Sequence, residues 1–230
     1  MPSRTSSPVL LAADAWRNAF PGAVVGALVM RAVRNPELSP ALEAAKRQLE
    51  ERLRDAAGAS DPAADRVLRA YVHYYRARGK TYHVKSQLES VARKGKPIPS
   101  RAALVEAMFM AELENLILTA GHDLDALVPP VHADVTADGD RYVLLGGTEV
   151  VLERGDMMMA DGTGVVSTVL RGPDLRTRIT PQTRNVLFAV YAPAGVGADA
   201  VRAHLEDIRA NVQLVAPEAR TLELTTETAT

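Results

Sequence analysis

The periodicity of the apolar residues changes at Pro129-Pro130, and this change limits the fold more than any other feature of the chain. Before it, apolar residues recur every three or four positions, which is typical of amphipathic helices. After it, short apolar runs alternate with glycine-rich turns, which is typical of strands. This segregation predicts an α/β or α+β protein whose helices pack on a mixed, mostly antiparallel sheet.

Most of the predicted helices precede the change. Serine, aspartate and proline mark their starts, and glycine marks several of their ends. The longest apolar helix leaves only a narrow polar face that contains Glu106, Glu112 and Glu114. The predicted helices are Ser39 to Ala57, Asp61-Pro62 to Gly79, a short helix from the capping box Ser86 to Glu89 as far as Lys94, Arg101 to Ala120 with Ser100 as its cap and Gly121 at its end, and Asp199 to Asn211.

The predicted strands are short, and turns separate them. Two lie near the start of the chain on either side of the turn Phe20-Pro-Gly22, and a separate segment is expected at Val212 to Val215. The strands are Val9 to Ala13, Val24 to Val33, Val131 to Thr136, Tyr142 to Leu145, Glu149 to Leu152, Met157 to Met159, Val165 to Leu170 and Val186 to Ala192.

The length of 230 residues suits one large domain. We expect a single domain over residues 1–216 and a frayed tail over 217–230. The chain has no cysteine, and no two of its five histidines have ligand spacing, so neither a metal nor another cofactor is expected. No apolar run approaches the roughly 20 residues of a membrane span. Asp14 and Arg17 interrupt the first apolar stretch, which argues against a signal peptide and favours a cytoplasmic location with no membrane partner.

The net charge of −1 argues against a wholly basic nucleic-acid binder, yet the charges are segregated. Eight basic residues and only one acidic residue, Glu89, lie between Arg76 and Arg101. Such a segment is typical of phosphate contacts, but it also fits a solvated helical face offset by the acidic helix that follows. A second basic group, around the turn Gly172-Pro173, consists of Arg171, Arg176, Arg178 and Arg184.

His122 lies directly beyond the longest predicted helix, beside Asp123 and Asp125. An imidazole oriented by a carboxylate can act as a general base. Alternatively, the histidine only favours the negative end of the helix while the aspartates cap the segment that follows. Both interpretations remain open from the sequence.

Three ordered stretches resemble one family. The first is Phe20 to Met30. The second is Ser86 to Leu127, with its Lys-Gly-Lys-Pro-Ile-Pro loop. The third runs from Gly155 to Asp161 and continues at Thr177 to Phe188. Together they resemble the tRNA-binding and editing module, the B-three/B-four domain, of the phenylalanyl-tRNA synthetase beta subunit, and especially its short freestanding relatives.

The resemblance covers about residues 20 to 192 and implies an α/β domain that acts on aminoacyl-tRNA. It also shows departures. The Thr-Asn pair of the synthetase pocket falls on Met108 and Phe109, its histidine falls near Ala120, and its glutamate falls near Phe188 or Ala189. The synthetase mechanism therefore cannot be transferred, and only the carboxylate at Glu106 matches the freestanding relatives.

We therefore expect a tRNA-binding protein with trans-acting aminoacyl-tRNA deacylation as its activity. Glu106 and His122 are the predicted catalytic residues, and Phe109, Asp123 and Thr180 are predicted to bind substrate around the same cavity. The alternatives are a non-catalytic domain that binds an amino acid or small molecule, and a module that docks on a protein partner. The residues predicted to bind tRNA are Lys85, Arg93, Lys94, Lys96, Arg171 and Arg178.

Overall fold

A computed structural model describes residues 9–230. Residues 1–8, which bear on the signal-peptide prediction, lie outside the described residues. The six α-helices within the described range are α1 Asp14–Ala19, α2 Pro40–Asp55, α3 Pro62–Arg76, α4 His83–Ala92, α5 Ala103–Asn115 and α6 Ala198–Val215, and a short 3-10 helix covers Leu124–Ala126.

The strands form three sheets. The strands are β1 Leu10–Ala12, β2 Val24–Arg31, β3 Thr119–Asp123, β4 Val131–Val135, β5 Arg141–Val143, β6 Glu149–Val151, β7 Met157–Asp161, β8 Gly164–Thr168, β9 Gly172–Pro173, β10 Asn185–Ala192 and β11 Arg220–Thr228. A five-stranded sheet has the order β1-β4-β7-β8-β9, a four-stranded sheet has the order β11-β2-β10-β3, and β5 pairs with β6. Within residues 9–230 only β1 and β4 pair in parallel, so the α+β class with a mostly antiparallel sheet is confirmed.

The four-stranded sheet is buried on both faces. On one face α6 packs so closely that a Cβ at Gly26 of β2 would lie 2.6 Å from Cγ1 of Val201. On the other face Tyr191 of β10 places its hydroxyl 2.5 Å from Ser167 Oγ in the five-stranded sheet. Side chains alternate between the two faces of a strand. Each residue of β3 and β10 is therefore assigned either to the helical side or to the side of the second sheet.

Two predicted caps are wrong. Helix α4 begins at His83, so Ser86 lies inside it, and the Ser86 hydroxyl opens no helix. Helix α5 begins at Ala103 after the uncapped Ala102. Ser100 Oγ instead accepts a hydrogen bond from Lys46 Nζ at 2.7 Å. In contrast, Asp61 accepts a hydrogen bond from Ala63 N at 2.9 Å, as its predicted cap requires.

The long helix also ends earlier than predicted. Leu116 follows α5 in the left-handed region, at φ 58°, and ends the helix there instead of at Gly121. The next residues form β3, which pairs with β10 from Asp123↔Val186 to Thr119↔Val190. Residues 117 and 118 lie in the turn, and backbone pairing in the sheet overrides the predicted helical conformation only at residues 119 and 120.

The end of the chain is not frayed. Residues 220–228 form β11, which pairs with β2 from Arg220↔Arg31 to Thr228↔Val24. Glu227 also accepts a hydrogen bond from Arg17 Nε at 2.9 Å. The predicted segment Val212 to Val215 belongs to α6, and α1 was not predicted. Among residues 9–230, no helix combines the length and the apolarity that a membrane span requires.

We expect removal of residues 220–230 to destabilise the protein, because β2 would lose its partner along one whole edge. The free energy of unfolding, measured by urea titration, should fall by on the order of 3 kcal/mol. A change below about 0.5 kcal/mol, as expected for a surface segment without contacts, would show that β11 does not form.

Candidate functional site

The turn between α5 and β3 is held by side chains from four parts of the chain. Tyr82 Oη donates to the carbonyl of Leu116 at 2.9 Å, and Tyr71 Oη accepts from Leu118 N at 3.2 Å. Glu112 Oε1 accepts from Thr119 N at 2.7 Å. Thr119 Oγ1 lies 2.6 Å from His204 Nε2 of α6. These four contacts therefore hold the turn in place where α5 and α6 meet the four-stranded sheet.

A cleft of about 340 Å³ opens beside this turn, and we refer to it as the Glu112 cleft. Its volume is of the size that accommodates a small ligand. Apolar side chains form much of its wall, and a few polar groups converge in it. The lining side chains include His83, Met108, Glu112, Leu118, Thr119, Ala120, Thr168, Arg171 and Tyr191.

Glu112 is a buried carboxyl group with an unusual acidity. Burial raises its pKa to about 8, although the hydrogen bond from Thr119 N lowers the pKa in part. None of the cations in residues 9–230 forms an ion pair with it. The carboxyl is therefore protonated at neutral pH, where it can donate a proton to a bound molecule. A strongly shifted acid in a cleft is typical of an active site.

Two further groups stand at the mouth of the Glu112 cleft. His83, the first residue of α4, is exposed, but partial desolvation lowers the pKa of its imidazole, which is mostly neutral near pH 7. Arg171 is exposed, and its side chain lines both this cleft and a neighbouring polar one. An exposed cation on the wall of a cleft that also contains a neutral acid favours a ligand with an anionic part near the arginine and a neutral part near Glu112.

A second, smaller groove of about 210 Å³ meets the first. Glu112 and Met108 line both, and Phe109 lines only the second, which we call the Phe109 groove. Phe109 therefore lies in a groove that shares two lining residues with the Glu112 cleft. Its predicted role in substrate binding stays a prediction.

Glu106 also lines the Phe109 groove, but both of its oxygens are committed to structure. Oε2 accepts a hydrogen bond from the buried Lys46 Nζ at 2.7 Å, and Oε1 accepts one from Arg101 N at 2.6 Å. Lys46 also pairs with Glu43. Glu106 therefore balances a buried cation between α2 and α5, and each of its oxygens already accepts a hydrogen bond from the protein.

His122 lies on the other side of the four-stranded sheet from α5. A Cβ at its neighbour Gly121 would lie 3.3 Å from Met108 Sδ of α5, so the side chain of His122 points the opposite way. Its Nδ1 lies 2.7 Å from Thr177 Oγ1, and Thr177 in turn donates to Asp174. Within the described residues, Nε2 is buried and has no hydrogen-bond partner.

Burial, together with a smaller effect of the Arg176 charge, lowers the pKa of His122 to about 3. The imidazole is thus neutral, buried and separated from Glu106 by the sheet. The predicted cavity bounded by Glu106, Phe109, His122 and Thr180 is not formed within residues 9–230. The structure brings together only Glu106 and Phe109 of these four.

Asp123 and Thr180 meet through a residue that the sequence did not single out. Thr183 Oγ1 donates to Asp123 Oδ2 at 2.6 Å and accepts from Thr180 N at 2.9 Å. Asn35 Nδ2 donates to the carbonyl of Thr180 at 2.8 Å. These contacts tie the end of β3 to the turn before β10, where they hold the backbone.

The residues predicted to bind tRNA do not form one surface at the cleft. Arg171 lines the Glu112 cleft, as described above. Lys85 follows His83 by two residues, so about 200° of helix rotation turns it away from the cleft. Arg93, Lys94 and Lys96 are exposed where α4 ends and in the following loop, and Arg178 is exposed beside β3.

Glu112 is the functional candidate that the sequence did not identify. The helical pattern assigned it to the narrow polar face. In the structure its carboxylate is buried and accepts a hydrogen bond from Thr119 N, beyond the end of the helix, a contact that no spacing rule indicates. No group of three or more His, Asp or Glu side chains that could hold a metal ion occurs in the part of the chain that the structure describes.

No protein-family model matches the chain, and no curated protein matches it. Among solved structures, it is similar to an N-terminal fragment of the phenylalanyl-tRNA synthetase beta subunit from Pyrococcus horikoshii, at 12% identity and a TM-score of 0.48. The match covers 94% of this chain and 49% of that fragment, so the chain spans about half of the fragment's length. A likeness of this degree carries no argument about activity, so the assignment of the site rests on the residues of this chain.

We expect Glu106→Gln to lower the free energy of unfolding by about 3 kcal/mol, because Lys46 would lose a charged partner in the interior. The double variant Lys46→Met/Glu106→Leu should recover more than half of that loss, since it removes both charges. Urea titration of both variants measures this. If Glu106→Gln were as stable as the natural protein, the ion pair would have no structural role.

Glu112 should make stability depend on pH. Its pKa rises from an ordinary 4.5 to about 8 on folding, so the stability that its proton contributes is complete below about pH 4.5 and is lost as the pH rises through about 8. Glu112→Gln removes this loss. Relative to the natural protein, its free energy of unfolding should rise by on the order of a few kcal/mol between pH 5 and pH 8.

The control for that measurement is Glu114→Gln, on the same helix but exposed. It should show no such pH-dependent gain. Parallel pH profiles for the natural protein and Glu112→Gln would mean that the Glu112 carboxyl titrates normally in the folded state.

Proposed function

We propose that the protein binds the aminoacylated 3′ end of a tRNA and hydrolyses its ester bond in the Glu112 cleft. The observation that carries this proposal is a protonated, buried carboxyl in a cleft with an arginine at its mouth. A single amino acid fits a cleft of about 340 Å³. Action on free aminoacyl-tRNA would place the protein in the cytoplasm.

The reaction needs only a proton donor and a positioned water. Water attacks the ester carbonyl, the bond to the ribose oxygen breaks, and the carboxyl of Glu112 donates a proton to that leaving oxygen. The proton lost by the attacking water then returns to the Glu112 carboxylate. The products are a free amino acid and a tRNA with a free ribose hydroxyl, and Glu112 is regenerated.

The environment of Glu112 suits this role. Acid catalysis is most effective when the pKa lies near the working pH, and burial raises that of Glu112 to about 8. The hydrogen bond from Thr119 N stabilises the carboxylate that forms when the proton leaves. Met108, Leu118 and Tyr191 supply apolar walls for the amino acid side chain.

Arg171 is the residue best placed for the terminal phosphates, because it is exposed and its side chain lines the cleft. The loop cations Arg93, Lys94 and Lys96, together with Lys85 and Arg178, would contact tRNA farther from the ester. In this arrangement Arg171 orients the 3′ end and the more distant cations add affinity without specificity.

A second candidate function is retention of an amino acid or similar small molecule without turnover. The apolar lining of the Glu112 cleft and its continuation into the Phe109 groove favour it. Docking of a protein partner on the basic segment is the remaining alternative. Incubation with a set of aminoacyl-tRNAs, in which both retention and deacylation are measured, separates the three functions.

We expect Glu112→Gln to lower the deacylation rate by about 100-fold or more, because general acid catalysis typically contributes that much. Binding of the same aminoacyl-tRNA should change little, since the amide keeps the shape of the carboxyl. Glu114→Gln should deacylate at the natural rate. Full activity in Glu112→Gln would overturn the assignment of the acid, and retention without deacylation in the natural protein would favour the second candidate.

Arg171→Gln should weaken tRNA binding and reduce the slope of log affinity against log salt by about 0.7, the effect of one contact to a single-stranded phosphate. Arg202 is an exposed arginine on α6. For Arg202→Gln, we expect the same slope of log affinity against log salt as for the natural protein. Lys94→Glu/Lys96→Glu tests the distant surface separately. If neither Arg171→Gln nor this double variant changed the slope, tRNA would not bind at these residues.

A further inference from the structure

A third cleft, of about 560 Å³, lies away from the Glu112 cleft and takes no part in the proposed function. One wall is a face of α3, and the others are the turn after α1 and the turn between β10 and α6. We call it the α3 cleft. Its apolar surface comes from Phe20, Pro21, Tyr74, Met157, Pro193 and Ala194.

The rim of the α3 cleft is cationic. Arg66, Arg69 and His73 follow one another at intervals of three and four residues, so they project from the same face of α3. Arg78 adds a fourth basic side chain just beyond the end of the helix. In the part of the chain that the structure describes, none of the residues that line the cleft is acidic.

The two helical arginines are available for a ligand. Within residues 9–230, Arg66 and Arg69 appear in none of the ion pairs, and both are exposed. Two unpaired guanidinium groups on one rim repel each other, and a dianion between them would remove that repulsion. The planar guanidinium group also matches the oxygens of a phosphate in pairs.

Arg78 has a different role because it is held in place. Its Nε donates to the carbonyl of Gly155 at 3.0 Å, and Nη1 donates to the carbonyl of Tyr74 at 3.1 Å. Its guanidinium carbon lies 3.7 Å from the centre of the Tyr74 ring. The charge therefore sits rigidly against the aromatic floor, where it contributes a fixed positive potential.

From this combination we infer that the α3 cleft binds a small organic phosphate: a phosphate monoester on a flat apolar body. The phosphate lies between Arg66 and Arg69, and the body covers the apolar floor beside Phe20 and Tyr74. The cleft volume lies within the range of small-molecule sites. This inference is independent of the activity proposed for the Glu112 cleft.

Isothermal titration calorimetry with 1-naphthyl phosphate tests the inference. We expect it to bind, whereas inorganic phosphate lacks the apolar body and 1-naphthol lacks the charge, so each should bind at least about 10-fold more weakly. If binding does not saturate at millimolar 1-naphthyl phosphate, or if 1-naphthol binds with equal affinity, the inference is wrong. Equal affinity for 1-naphthoate overturns the choice of phosphate.

Variants locate the site. Arg66→Gln/Arg69→Gln should weaken binding of 1-naphthyl phosphate at least about 10-fold, since it removes both charged donors. Arg202→Gln should bind with the natural affinity. Circular dichroism checks that the variants are folded, as expected for exposed side chains. Unchanged affinity in the double variant would show that 1-naphthyl phosphate binds elsewhere. Glu112→Gln should still bind 1-naphthyl phosphate, whether or not the protein is a deacylase.

Discussion

The short turn from α5 to β3 is the constraint on which much of the structure depends. Leu116 stops the helix in the left-handed region, and Tyr82, Tyr71, Glu112 and His204 each hold one polar group of the turn. Tyr71 and Tyr82 also stack, with ring centres 4.6 Å apart. Because the turn is fixed from four directions, β3 enters the sheet in one register, and that register decides which side chains face each side.

Two consequences of this register explain the functional arrangement. The first is that His122 faces the second sheet and Glu106 faces α2, so the pair expected to act together is separated. The second is that Glu112 is drawn inward to accept a hydrogen bond from Thr119 N, at a place where two clefts meet. Glu112, which helps to position the turn, thereby becomes a cleft carboxyl with a strongly raised pKa.

The sequence predicted the elements whose signals are local. The start of α3 at Asp61-Pro62 follows from capping and proline preference, and β10 follows from an apolar run between turns. Elements set by distant partners were missed. The first two residues of β3, Thr119 and Ala120, continue the predicted helix in sequence but pair with β10, and the Thr-rich β11 needs the edge of β2. Likewise, the ion pair of Glu106 could not be predicted, because its partner Lys46 lies 60 residues away in the chain. The hydrogen bond that Glu112 accepts comes from a backbone N–H beyond the helix end.

The proposed chemistry depends on Glu112 being a neutral acid at physiological pH. Carbon-13 NMR of the side-chain carboxyl groups across pH 3 to 10, with Glu112→Gln to assign the resonance, measures this directly. We expect a single carboxyl that titrates near pH 8 and is absent from the variant. A Glu112 carboxyl that titrates near its ordinary pKa of 4.5 would contradict it.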